Sequence, residues 1–112
     1  MNDRELLELA ARAAGFTGYG FFLGDDGIDV SDETGTRFAW NPLTDDGDAL
    51  RLAVKRGLVV TPDRENQRTL VSNQAGHEYC AIYWDNLGEM AATRLAITEV
   101  AAEIGKSMGG GE

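Results

Sequence analysis

The sequence has one cysteine, Cys80, in 112 residues, so no disulfide can close within the chain. Small secreted domains usually depend on such cross-links, and their absence points to a reducing cytoplasm. Long apolar runs are missing too: the longest are four or five residues, against about 20 for a membrane-spanning helix. The opening residues Met1-Asn2-Asp3-Arg4-Glu5 carry neither the basic start nor the apolar stretch of a secretory leader. Positive charge is scarce. There are only two lysines, Lys55 and Lys106, the arginines are scattered, and 19 acids against 10 bases leave a formal net charge of −9. That balance disfavours direct nucleic-acid binding through phosphate neutralisation, and adsorption to an anionic membrane.

What is present is the makeup of a folded protein, 43% hydrophobic and 26% charged. A disordered chain of this charge would hold far fewer apolar side chains. A chain of this length hides roughly 65% of its unfolded surface on folding, enough for one core. Residues 1–108 read as a single domain and the glycine-rich 109–112 as a flexible tail.

Local pattern then predicts the elements. Residues 3–14 form a first helix, capped by Asn2 or Asp3, with Leu6, Leu7, Leu9, Ala10, Ala13 and Ala14 on its apolar face and Gly15 as its stop. Tyr19 to Leu23 and Ile28 to Val30 read as strands around a Gly24-Asp25-Asp26-Gly27 turn. Thr44 is the expected cap of a second helix over 45–56, with Asp45, Asp46 and Asp48 where the helix dipole favours negative charge. Leu58 to Thr61, ending at Pro62, Thr69 to Asn73 and Glu78 to Trp84 are three further strands. A last helix spans 88–107, with Met90, Ile97, Val100, Ala101, Ile104 and Met108 on one face. The expected fold is α+β: a three-layer α/β/α sandwich of three helices and a short, mainly antiparallel sheet. The all-apolar run Cys80-Ala81-Ile82-Tyr83-Trp84 suits a strand covered on both faces.

Two segments carry a resemblance. Trp40-Asn41-Pro42-Leu43-Thr44-Asp45-Asp46-Gly47-Asp48-Ala49-Leu50-Arg51-Leu52-Ala53-Val54 resembles a signature of small phage and prophage proteins with the phage α/β/α (ABA) sandwich domain. Ala92-Thr93-Arg94-Leu95-Ala96-Ile97 with Ala101-Ala102-Glu103-Ile104-Gly105 is similar to their C-terminal helix. The resemblance covers residues 1–14 and 40–108 and implies a bacterial or phage origin and a sandwich fold, with no activity or catalytic residue attached.

The chemistry-bearing residues yield no catalytic set. Asp25, Asp26, Asp29, Asp32 and Glu33 fail the EF-hand spacing, since a loop starting at Asp25 puts Gly27, Val30 and Thr36 at positions 3, 6 and 12. A solvated turn and strand edge accounts for these acids. His77 and Cys80 lack the further ligands of a zinc site, and face opposite ways on a strand, which disfavours a nucleophile pair. Cys80 reads as a small core residue. Gly18-Tyr19-Gly20 opens like a dinucleotide fingerprint but lacks the third glycine and the following helix, and no phosphate-binding loop, nucleophile elbow or His-Glu-x-x-His is present. With no basic stripe beside them, Tyr19, Phe21, Phe22, Trp40, Tyr79, Tyr83 and Trp84 are expected in the core.

Three acids beside Trp40 and Asn41 exceed what a helix cap requires. Trp40, Asn41, Asp45, Asp46 and Asp48 are therefore the candidate binding residues. The leading expectation is a non-enzymatic cytoplasmic accessory protein that binds a host or phage protein, in its sharpest form an acidic decoy for a nucleic-acid-binding or defence protein. No cofactor or metal is expected in that case. One alternative is a small-molecule or metal-binding domain centred on 40–48. Another is a subunit of a homo-oligomer, with Ala91, Leu95 and Ala102 as a stripe where small residues permit close helix approach.

Overall fold

The computed structural model describes residues 2–76 and 79–108. Three helices and six strands follow in the order α1 (Asp3–Ala14), β1 (Gly18–Phe22), β2 (Ile28–Ser31), β3 (Arg37–Trp40), α2 (Asp46–Arg56), β4 (Val59–Asp63), β5 (Arg68–Ser72), β6 (Cys80–Tyr83) and α3 (Glu89–Met108), with a short 3₁₀ turn at Gly24–Asp26. The α+β class, the three helices and the antiparallel pairing are as expected. The strands are divided between two three-stranded antiparallel sheets, β1-β2-β3 and β4-β5-β6, rather than joined in one. The tail 109–112 and the pair His77, Glu78 lie outside the described residues.

α3 is the hub. It packs along α1, against α2 and over the sheet β4-β5-β6, while α1 also meets β1 and β2. A helix surrounded on several sides cannot keep one wet face. Ala92, Ala96, Ile97, Thr98, Val100, Ala101, Ala102 and Gly105 are all buried along it, and Met90 and Met108, expected on the core face, lie exposed at its two ends. No helix among the described residues is long and apolar enough to cross a membrane.

Small side chains let α1 and α3 approach closely. Ala10, Ala11 and Ala13 of α1 and Ala101 and Ala102 of α3 are fully buried. Gly105 is the tightest point. A Cβ built there would lie 2.8 Å from the carbonyl carbon of Leu9, nearer still to its oxygen, and 3.3 Å from the Ala13 nitrogen.

Three local expectations are corrected. The cap of α2 is Asp45, whose Oδ1 accepts the Asp48 N–H at 2.9 Å. Thr44 is instead held in the preceding turn, donating its N–H to the Asn41 carbonyl. β4 runs on through Pro62 to Asp63, because it is the edge strand of its sheet and its outer side needs no N–H. β3, for which the local pattern predicts no strand, is a full strand paired with β2 from Ile28↔Trp40 to Ser31↔Arg37.

A buried hydroxyl chain ties β5 to α3. Trp84 Nε1 donates to Thr69 Oγ1 at 2.9 Å, the Thr69 and Thr93 hydroxyls are 2.6 Å apart, and Thr93 Oγ1 donates to the Glu89 carbonyl at 2.7 Å. Thr93 has one proton and gives it to Glu89, so Thr69 must donate to Thr93. The order Trp84→Thr69→Thr93→Glu89 is thereby fixed. Thr69→Val keeps the shape but strands the indole N–H in a dry site. The expected loss is about 1–3 kcal/mol of stability, read from urea unfolding.

Candidate functional site

The Trp40–Asp48 segment joins sheet β1-β2-β3 to α2. Trp40 is 3% exposed, its ring edge-on to Phe16 with centroids 5.2 Å apart. Asn41 is buried as well. Its Nδ2 donates to the Asp25 carbonyl at 3.0 Å, its Oδ1 accepts the Leu43 N–H at 3.0 Å, and its own N–H donates to Asp48 Oδ2 at 3.0 Å. Asn41 thus pins the Asp25 turn to the start of α2, and the two acidic stretches of the sequence do adjoin.

Most of these acids are occupied within the fold. Asp45 caps α2, Asp46 accepts from Arg94 at 2.6 Å, and Asp48 takes Arg51 at 2.8 Å on its other oxygen. Arg94 also donates to the Leu43 carbonyl at 2.9 Å, so it fastens the start of α2 to α3. Asp29 pairs with Arg37 across the outer face of the first sheet. Asp32 collects the Thr34 and Thr36 N–H groups and the Thr34 hydroxyl, which together hold its carboxyl below the ordinary range. Asp25, Asp26 and Glu33 are exposed and form no ion pair among the described residues. No group of three or more His, Cys, Asp or Glu among the described residues is placed to hold a metal ion.

Beside Trp40 a cleft of about 530 Å³ opens between β3 and α2. Its floor is Phe16, Phe38 and Trp40, and its α2 wall is Asp48, Arg51, Leu52 and Lys55. Of the predicted residues, the structure brings Trp40, Asp45 and Asp48 to this cleft. Asn41 supports it from behind, and Asp46 turns to Arg94. The sequence reading missed Phe16, Phe38, Arg51 and Lys55, which come from three separate elements.

The stripe Ala91, Leu95, Ala102 does not form one exposed face, because Ala102 is buried within the chain while Ala91 and Leu95 are half-buried. Leu95 and Ala102 nevertheless meet at a second cleft of about 600 Å³, which Asp3, Tyr79, Cys80, Glu99 and Glu103 also line. Burial and the Glu99 carboxylate push the Cys80 thiol up to about 11, and burial with the neighbouring Glu103 raises Glu99. Cys80 is thus the opposite of an activated nucleophile. Its modification by a disulfide reagent at pH 8 is expected to run on the order of a hundredfold slower than for an ordinary thiol, because so little thiolate is present. The rate should still climb nearly tenfold from pH 9 to pH 10, whereas levelling off by about pH 10 would show an unshifted thiol.

The expectation that the aromatics are all core fails at Phe21, Phe22, Tyr79 and Tyr83, which are exposed. Phe21 is 73%, Phe22 46% and Leu23 42% exposed, three consecutive apolar residues left in water at the end of edge strand β1. A signal for this was in the sequence. Consecutive strand residues point to opposite faces, so Phe21 and Phe22 could not both enter one core. Comparison with protein-family models, with curated proteins and with solved structures finds no match.

Proposed function

We propose that the protein is a non-enzymatic accessory protein of a phage or prophage, which works in the bacterial cytoplasm by binding another protein. The observation that carries this reading is the Phe21-Phe22-Leu23 patch. Three consecutive large apolar residues exposed at a strand end lie outside the core, and grouped apolar exposure of this kind suits a contact surface. Asp25 and Asp26 follow directly in the exposed 3₁₀ turn and give the patch an acidic border. The partner surface that fits is an apolar depression rimmed by basic side chains, as nucleic-acid-binding proteins of the host or phage present. That is the form in which the acidic-decoy idea survives, because only Asp25, Asp26 and Glu33 of the first acidic stretch remain uncommitted.

The alternative of a small-molecule or metal site centred on 40–48 has less support. Trp40 and Asn41 are buried, and Asp45, Asp46 and Asp48 each hold a separate structural partner. The test of the proposal is affinity capture from the host bacterium at physiological salt, comparing the native chain with Phe21→Ser/Phe22→Ser. A partner held by the native chain and lost by the variant supports it, with weaker capture as salt rises. An identical set of captured proteins from both overturns it. Sedimentation of the two purified chains separates a second copy from a foreign partner.

A further inference from the structure

We propose that the cleft between β3 and α2 receives an extended peptide segment of a partner protein as a fourth strand on the sheet β1-β2-β3. This surface is separate from the Phe21 patch, which lies at the opposite edge of the sheet.

Asp32 donates its N–H to the Thr36 carbonyl, next to the pairs Ser31↔Arg37, Val30↔Phe38, Asp29↔Ala39 and Ile28↔Trp40. Hydrogen-bonded pairs alternate in an antiparallel ladder, so Asp32/Thr36, Val30/Phe38 and Ile28/Trp40 exchange the bonds. Arg37, Ala39 and Asn41 then turn their backbone N–H and C=O away from β2. Asn41 bears this out, because its N–H meets Asp48 Oδ2 on α2. Ala39, itself exposed, therefore offers an N–H and a C=O to the cleft it lines.

An open edge of this kind is usually blunted by a proline, a bulge or a charge. β1 has a register break between Tyr19 and Phe22, and β4 carries Pro62. β3 is regular, and its one charged residue, Arg37, is tied to Asp29. Strand addition beside a helix is an established way to hold an extended peptide, with backbone bonds giving affinity and alternate side chains giving choice. Four paired residues span about 13 Å, comparable with the roughly 10 Å of α2 from Asp48 to Lys55.

The chemistry of the occupant follows from the walls. Residues opposite Phe38 and Trp40 share their face of the sheet, so one apolar side chain would rest on Phe16, Phe38 and Leu52. Both Asp48 oxygens are taken, by Asn41 and Arg51, and an Asp45 oxygen holds the helix cap. Lys55 forms no ion pair among the described residues, and its side chain lies across Gly15 at the end of α1. Among the lining residues Lys55 is thus a cation without an ion-pair partner, set apart along α2 from Asp45 and the Asp48–Arg51 pair, which suits an acidic side chain beside it, two residues beyond the apolar one.

The test is an NMR titration of the full chain with synthetic eight-residue strand-forming peptides. Each carries Leu, Ile, Phe or Trp at the anchor position and Glu two residues later. At least one peptide is expected to shift amides in 37–41 and 48–55. N-methylation of its residue between anchor and Glu should weaken binding by about tenfold or more, because in antiparallel addition that residue faces Ala39 and donates its N–H to the Ala39 carbonyl. Ala39→Pro should do the same and still fold, since that N–H lies outside the β2–β3 ladder. Lys55→Glu should reverse the preference from Glu to Lys in the probe. Failure of every peptide to shift these amides at millimolar concentration overturns the proposal. So does equal binding of the N-methylated peptide, which assigns the cleft to a small-molecule or side-chain pocket. Neither result bears on the Phe21 patch, whose own test uses different residues.

Discussion

Gly105→Val is expected to abolish the folded state. The position lies where α3 meets α1, and a Cβ there lands on the Leu9 carbonyl, with the Ala13 nitrogen 3.3 Å away. Those are backbone atoms inside a helix, so no side chain can swing aside. Relief requires the helices to part, and parting them opens voids at Ala10, Ala13 and Ala101, all fully buried. Overpacking a core costs about 1–3 kcal/mol even where side chains can yield. Here the lost contact is the seam between α1 and the hub of the fold, and a domain of this size has only ~5–15 kcal/mol of stability in all. Gly105→Ala should lose about 2–4 kcal/mol, and valine more than the fold can bear. Circular dichroism with urea unfolding reads both. Gly20→Ala is the control, since a Cβ there meets nothing within 4 Å. A valine variant melting within a few degrees of the native chain would mean that the helices do not touch at Gly105.

The second large effect is expected at Gly27→Ala. Gly27 has φ +89° and ψ −128°, a conformation that side chains with a Cβ rarely adopt. A Cβ there would also lie 2.8 Å from the Trp40 carbonyl carbon, closer to its oxygen, and against the Asn41 side chain. Backbone strain of about 1–3 kcal/mol and a comparable packing penalty add at this site. The consequence is local as well as global. Gly27 sits between the Phe21 patch and the Asn41 anchor, so the variant should lose the Asn41 Nδ2 bond to the Asp25 carbonyl and loosen the turn. Amide exchange would show this as lost protection at Leu23, whose N–H donates to the Gly27 carbonyl, and at Gly27, whose N–H donates to the Gly24 carbonyl. Unchanged protection together with unchanged stability would contradict the backbone assigned to this turn.

Helices were legible because their ends are chemically marked. Asn2 and Gly15 bound α1, and Lys55, Arg56 and Gly57 close α2. The misassigned cap, Thr44 for Asp45, arose because both adjacent residues can cap a helix and the geometry of the preceding Asn41 turn decides between them. β3 was harder. Phe38 and Trp40 do alternate with Arg37 and Ala39, but four residues behind an acidic, glycine-rich stretch give little periodicity to read. The split into two sheets depends on which strands find each other, and that is not written locally.

At the site, the surplus of acids pointed to the right segment for the wrong reason. Asp45, Asp46 and Asp48 build the joint between sheet and helices, and the accessible chemistry beside them belongs to Phe16, Phe38 and Lys55, which only the tertiary fold assembles. In the same way, Asp29, Asp46, Asp48 and Asp63 are each tied to an arginine and Asp32 to its own turn, so the net charge of −9 is carried by the acids outside those ion pairs.

The most direct measurement on the functional account is photocrosslinking in the host cell. Benzoylphenylalanine is placed at Phe21 in one chain and at Leu87 in another, two exposed apolar positions of which Leu87 lies on neither proposed binding surface. The account predicts a discrete crosslinked protein from position 21 and only background from position 87. Equal crosslinking from both, or none from position 21, would contradict a binding surface at the end of β1.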